Sequence, residues 1–220
     1  MMLSWGPLKG RIHPAGWSFI TLGAGLSILF LFVWPVVGVL ALVLTLGCAA
    51  FFRDPERVGP KSTQAIVSPA DGVLVDICHA KPPAEVGRYR EGNWVRLSIF
   101  LSLFDAHVTR MPQKGRVLMT TYHKGQFFNA SLDKASQKNE RNTVVLEAEG
   151  TTMMITQIAG LIARRIVCDV SIGDQVMRGQ AFGIIRFGSR VDVYLPDDVE
   201  IFVQKGQKMV SGETVLAKRA

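Results

Sequence analysis

Cysteine is scarce in this chain. Cys48, Cys78 and Cys168 are the three present in 220 residues, far apart and without a C-x-x-C pair. That pattern excludes a disulfide framework and offers no zinc-type spacing. No metal site is expected, and a reducing, cytosol-facing compartment is the default. Glycine (21) and proline (10) are frequent but show no Gly-X-Y period, so a collagenous chain is excluded. After residue 60 no stretch holds a 3.6-residue apolar period, apart from a possible short helix near Phe104–Val108, which excludes a helical bundle. Neither a G-x-S-x-G nucleophile elbow nor a nucleic-acid-binding motif is found. Charge is missing altogether from Trp17 to Phe52.

That uncharged run is too long and too apolar for a helix of a small soluble domain, so it is expected to meet lipid. As one straight helix it would span about 54 Å, well beyond a hydrocarbon core of about 30 Å. Trp34-Pro35 lies at its middle. Proline removes a helix hydrogen bond and clashes with the preceding turn, so the run should fold as a hairpin, either two short passes or a wedge in one leaflet. A cleaved signal peptide fits poorly, because the run starts late and is about twice the length of a signal core. Lys9 and Arg11 flank one end and Arg53 and Arg57 the other. This basic bias places both ends, and the C-terminal domain with them, on the cytoplasmic side of the cell membrane. The net charge of +7 agrees with an anionic membrane lipid surface as partner. Residues 1–52 are thus read as a membrane-anchoring segment and 53–220 as the folded domain.

In the folded domain short apolar runs alternate with Gly, Pro, Asp and Asn. Val73–Ile77, Val95–Leu101, Val144–Leu146 and Val191–Leu195 have strand periodicity. Gly173–Gly179 and Gly206–Gly212 form a weak repeat, G-x-x-V/M-x-x-G, each copy followed by an apolar run. This grammar resembles the hammerhead turns of lipoyl- and biotinyl-like domains, whose glycines take positive-φ positions. The expected fold is mainly β: a barrel-sandwich (lipoyl-like) domain preceded by an N-terminal hydrophobic helical hairpin. No lysine stands at a hairpin tip in an M-K-M setting, so a swinging-arm carrier is not expected.

Gly188-Ser189 precedes an alternating strand. By itself the pair reads as a bend. As a nucleophile the serine needs a base, and His107, within Phe104-Asp105-Ala106-His107, is the candidate. Asp71, in Ser68-Pro69-Ala70-Asp71-Gly72, could supply a carboxylate, although Asp-Gly is also ordinary turn chemistry. His13 precedes the anchor, and His79 and His123 lie in polar surroundings without an obvious partner.

Three motifs together, Ser68-Pro69-Ala70-Asp71-Gly72, Phe104-Asp105-Ala106-His107 with Met111-Pro112, and Phe187-Gly188-Ser189-Arg190-Val191-Asp192, carry a specific resemblance over about residues 50–205. The chain resembles the phosphatidylserine decarboxylase proenzymes, in particular their short (type A, archaeal-like) branch. Arg53-Asp54-Pro55 after the anchor matches that branch too. The resemblance implies a pyruvoyl enzyme that cuts itself between Gly188 and Ser189. The products would be a β chain (1–188) and an α chain (189–220) that stay associated, with a covalent pyruvoyl group derived from Ser189. It implies that Asp71 orients His107, that His107 takes the Ser189 proton, and that a Schiff base with phosphatidylserine leads to phosphatidylethanolamine and CO2. Many longer members carry a second histidine where this chain has Arg110, which would instead meet the lipid phosphate or the serine carboxylate, or stand solvated. The roles of Asp105 and Asp192 are left open. The rival reading is a non-enzymatic membrane-anchored barrel-sandwich adaptor, with an uncut chain. No nucleic-acid partner is expected, and a homo-oligomer is compatible with the sequence.

Overall fold

The computed structural model describes residues 10–126, 138–160, 165–186 and 188–218. Lys9 and Phe187, both used above, lie outside the described residues. The chain divides into two compact units, the first ending at Glu56 and the second starting at Arg57.

The first unit comprises β1 (Gly10–Ile12), α1 (Trp17–Val33), α2 (Pro35–Phe51) and β2 (Arg53–Pro55). The helices break at Trp34 (φ −149°, ψ 88°), and Pro35 opens α2, where its missing N–H costs no hydrogen bond. Small residues let the two helices approach closely. A Cβ on Gly38 would stand 2.4 Å from the Leu31 nitrogen, and one on Gly23 would stand 2.5 Å from Thr45 Oγ1. Ser27 and Thr45 donate back to the Gly23 and Ala41 carbonyls, which satisfies both hydroxyls without water. Outward-facing Leu22, Ile28, Phe32, Val36, Leu40 and Leu44 are exposed. Pro14–Val33 is long and apolar enough to cross a bilayer, whereas Pro35–Phe51 is shorter. At the base β1 pairs antiparallel with β2, and Arg53 donates to the Ala50 carbonyl at the end of α2.

The second unit is mainly β. Its longer strands are β4 (Gly72–His79), β5 (Trp94–Leu101), β7 (Gly115–His123), β8 (Arg141–Ala148), β9 (Thr151–Ala159) and β13 (Ser189–Pro196). Shorter strands are β3 (Ala65–Val67), β6 (Val108–Arg110), β10 (Ile166–Cys168), β11 (Gln175–Val176), β12 (Ala181–Ile185), β14 (Glu200–Ile201), β15 (Lys208–Met209) and β16 (Val215–Lys218). An eight-stranded sheet has the order β11-β7-β8-β9-β13-β5-β4-β15, and two three-stranded sheets run β10-β12-β6 and β14-β16-β3. All four runs expected from alternation are strands. The Phe104–Val108 segment, expected as a short helix, is instead a turn leading into β6. The reason is local: the Asp105 carboxylate accepts from the Ser102 N–H (2.8 Å) and Oγ (2.7 Å), closing a turn that competes with a helix.

The glycine repeat becomes two equivalent turns on opposite edges of the large sheet. Gly173 donates to Val117 O and Val117 to Asp174 O (2.8 and 2.9 Å), just as Gly206 donates to Leu74 O and Leu74 to Gln207 O (2.7 and 2.9 Å). The repeat glycines have φ of 96° and 77° in one unit and 89° and 77° in the other, values that an L side chain rarely adopts. Each turn blunts an edge strand that would otherwise offer unpaired backbone groups. The core lies on one face of the sheet, where Leu97, Ile99, Leu101, Val191, Val193 and Leu195 are buried.

The other face is partly polar. Arg96 donates to Asp76 (2.9 Å), and Arg141 grips Glu85 with a two-pronged contact (2.5 and 3.0 Å). Burial pushes the Asp76 and Glu85 carboxyls up, but the hydrogen bonds and charge of Arg96 and Arg141 outweigh it and hold both below their ordinary values. A carboxylate whose folded pKa is lowered stabilises the fold above its unfolded pKa and loses that contribution as pH falls through the folded value. Tm is therefore expected to be flat from neutral pH to about 5 and to fall below about 4. Thermal melts of Asp76→Asn and Glu85→Gln variants should show a shallower acid slope, and an unchanged slope would refute the assignment.

Candidate active site

Two segments carry the chain from the large sheet to a small one, and they run side by side. β5 ends at Leu101 and β6 begins at Val108; β12 ends at Ile185 and β13 begins at Ser189. Within the sheets Ser189 pairs with Leu101, and Ile184 pairs with Val108. The Ile185 N–H reaches the His107 carbonyl (3.4 Å). Residues distant in sequence, His107 and the Gly188–Ser189 bond, therefore lie in neighbouring crossings.

Ser189 is the first residue of β13, flanked by Leu101 on β5 and Ala159 on β9. Alternation puts its side chain on the core face with Val191 and Val193. The Ser189 Oγ is buried and has no hydrogen-bond partner among the described residues. A buried hydroxyl left in this state costs about 1–3 kcal/mol, so its retention calls for a reason beyond packing. Gly188 has φ 65°, and nothing within 4 Å would obstruct a Cβ there. Glycine is thus demanded by backbone conformation rather than by space.

His107 is fully buried. Its Nδ1 lies 3.0 Å from the Asp105 carbonyl oxygen. A carbonyl only accepts, so this contact places the proton of the neutral ring on Nδ1 and leaves the Nε2 lone pair as the base. Asp105 consequently works twice: its carboxylate closes the turn at Ser102 and its carbonyl sets the imidazole tautomer. The Ser102-x-x-Asp105 spacing is the local signal for this turn, legible in the sequence as a polar residue three positions from its acceptor.

Asp71 stands at the Ser68–Asp71 turn. Its carboxylate accepts from Arg57 (2.6 Å) and from the Ser211 N–H (2.7 Å), while the Asp105 carbonyl occupies His107 Nδ1. A guanidinium and a backbone donor close by hold the carboxylate. The Ser68–Asp71 motif serves as the dock for the second glycine turn: Gly212 donates to Ser68 O, Ser68 to Thr214 O, and Ser211 Oγ to Pro69 O. The Arg110 N–H donates to Pro69 O (2.8 Å), which ties this dock to the strand that follows His107. The Arg110 guanidinium donates to the Gly179 carbonyl (2.9 Å), and the side chain is half-buried.

Behind the nucleophile, on the opposite face of β13, Arg190 is buried and donates to Asp192 (2.6 Å) and to Ser98 Oγ on β5 (2.6 Å). Removing one member of such a buried pair leaves an uncompensated charge. Asp192→Ala is expected to cost about 3–5 kcal/mol, a fall in Tm on the order of 10 °C. The double replacement Arg190→Met with Asp192→Leu should cost less, because neither member of the pair is left facing an absent partner. Calorimetry of the three proteins checks the order.

Among the described residues no group of His, Cys, Asp and Glu could hold a metal ion. A family profile described as phosphatidylserine decarboxylase matches residues 44–217. A phosphatidylserine decarboxylase proenzyme of Ruegeria pomeroyi is 50% identical over 207 residues, covering 94% of each chain. One from Rickettsia rickettsii is 48% identical over 217 residues, 98% of this chain and 94% of the relative. One from Saccharopolyspora erythraea is 47% identical over 210 residues, 95% and 89%. With the profile matched over residues 44–217 and relatives 47–50% identical over most of both chains, the chain belongs to the phosphatidylserine decarboxylase family.

Proposed function

We propose that this chain is a self-cleaving phosphatidylserine decarboxylase of phospholipid biosynthesis, converting phosphatidylserine to phosphatidylethanolamine and CO2. The observation that carries the residue assignment is the buried Ser189 hydroxyl without a partner, one peptide bond after a positive-φ glycine. In the maturation step His107 Nε2 accepts the Oγ proton as the oxygen attacks the Gly188 carbonyl carbon. The C–N bond breaks, the proton passes to the departing nitrogen, and an ester replaces the amide. Loss of the Cα proton and of the Gly188 carboxylate from Cβ leaves an unsaturated residue 189. Water then displaces ammonia to give the pyruvoyl end.

The residues present fit that group, since the Ser189 Oγ from which it derives makes no hydrogen bond to any described residue that its loss would break. The pyruvoyl carbonyl supplies an electrophile for the substrate amine and a sink for the electron pair released with CO2. His107 then returns a proton at the substrate Cα. Asp71 acts at one remove as a positioning residue, because its carboxylate holds Ser211 and hence the docked turn. These same bonds retain residues 189–220 after the cut.

A lipid substrate is supported by exposed Leu103 and Phe104 in the same loop as His107. Burial and the neighbouring Arg165 charge lower the Arg186 guanidinium below its ordinary value. An anionic headgroup beside the scissile crossing relieves that repulsion, and Arg110 is a second candidate contact. The helical hairpin is the membrane anchor, residues 1–52, with 53–220 as the catalytic domain on the cytoplasmic side. Arg11 and Arg53 are its basic flank among the described residues, whereas Arg57 is engaged by Asp71. Incubation of the purified chain with phosphatidylserine vesicles is expected to give phosphatidylethanolamine and equimolar CO2. A folded, uncut and inactive chain would favour the anchored adaptor.

A further inference from the structure

A polar cavity lies well away from the nucleophile. It has a volume of about 360 Å³ and is lined by Lys81, Arg90, Arg96, Arg141 and Tyr194 together with the Ala80–Ala84 segment. The register Ser189↔Leu101 and Tyr194↔Arg96 sets it five residues along β13, about 17 Å from Ser189 at 3.3 Å per residue. Alternation also puts Tyr194 and Ser189 on opposite faces of the sheet. The cavity is thus separate from the candidate active site.

Its charge is one-sided. Arg96 and Arg141 are largely buried and form the floor, each tied to one carboxylate, Asp76 and Glu85. Neither of those carboxylates lines the cavity, and no other Asp or Glu does. Lys81 and Arg90 stand exposed at the rim, with no ion pair to any described residue. The site therefore carries two positive charges in excess. It is also shaped in advance: Pro82-Pro83 stiffens one wall, and Arg90 Nε is pinned to the Pro82 carbonyl (2.8 Å), leaving its terminal nitrogens to point elsewhere. Converging guanidiniums, a lysine and a tyrosine around a headgroup-sized space match a phosphate group, which accepts forked donors.

We propose that this cavity is a phosphate-binding site outside the catalytic centre, filled either by an anionic lipid headgroup or by a free phosphate. The test uses the full chain in phosphatidylcholine nanodiscs, with hydrogen exchange of residues 81–91 as the readout and a Lys81→Ala/Arg90→Ala variant beside it. Both positions are exposed and the variant loses only the Arg90–Pro82 hydrogen bond, so its Tm should fall by no more than about a few degrees, and protection is compared with each protein's own phosphate-free baseline. Protection of 81–91 on titration with inorganic phosphate, weakened about 10–100-fold in the variant, supports a free phosphate. Protection only when phosphatidylglycerol is included in the nanodisc, again lost in the variant, supports a headgroup. No protection under either condition, or equal protection in the variant, overturns the site.

Discussion

Ser189→Ala is expected to give one uncut chain with no decarboxylase activity, and the unaltered protein is expected to give two chains divided between residues 188 and 189. In an intact-mass spectrum the smaller wild-type fragment should begin with a pyruvoyl group and lack an N-terminal amine. The substitution removes a hydroxyl that is buried without a partner among the described residues, and the methyl group that remains still packs on the core face. Deleting an unsatisfied polar group should leave Tm unchanged or raise it by about 1 kcal/mol equivalent. Loss of cleavage with a retained or higher Tm separates chemistry from folding, because an ordinary core serine would lose stability and affect nothing else. Cleavage at 188/189 in the alanine variant, or a folded wild-type chain that never cuts, would remove Ser189 from the mechanism.

What could be read in the sequence was whatever a short period or a forced backbone angle controls. The β runs alternate because one face of β5, β8 and β13 packs on a common core, and that alternation survives without knowledge of neighbours. The hairpin break follows from Pro35 alone. The repeat glycines were legible because their turns require positive φ. Pairings decided by three-dimensional competition were not legible. Asp71 accepts from Arg57 and Ser211, fourteen and 140 positions away, and nothing local announces either partner. Asp105 was visible within the Phe104–His107 motif and a possible short helix but with no role, since a side chain closing a turn on Ser102 and a carbonyl touching an imidazole leave no periodic trace. The cation-lined cavity assembles Lys81, Arg90, Arg96 and Arg141 from three stretches of chain, so only the antiparallel register brings them together.

His107→Gln is expected to slow self-cleavage by about 10²–10⁴-fold, the usual contribution of a positioned general base. The imidazole tautomer decides this outcome. The Asp105 carbonyl fixes the proton on Nδ1, and the buried Nε2 is then the ring's one basic site in the crossing next to Ser189. Glutamine fills much of the same volume and can still donate to the Asp105 carbonyl, so the loop should close as before while the base is gone. Uncut precursor should accumulate and convert over hours, with a Tm close to that of Ser189→Ala. His107→Ala should be as slow but partly restored by added imidazole, which a purely structural histidine would not permit. Disturbing the turn instead, by Asp105→Ala, removes the acceptor for Ser102 but leaves every carbonyl in place. The tautomer is then held less firmly, and an intermediate cleavage rate is expected. Wild-type cleavage rates in His107→Gln would end its role as base and shift attention to the arginines of the scissile crossing.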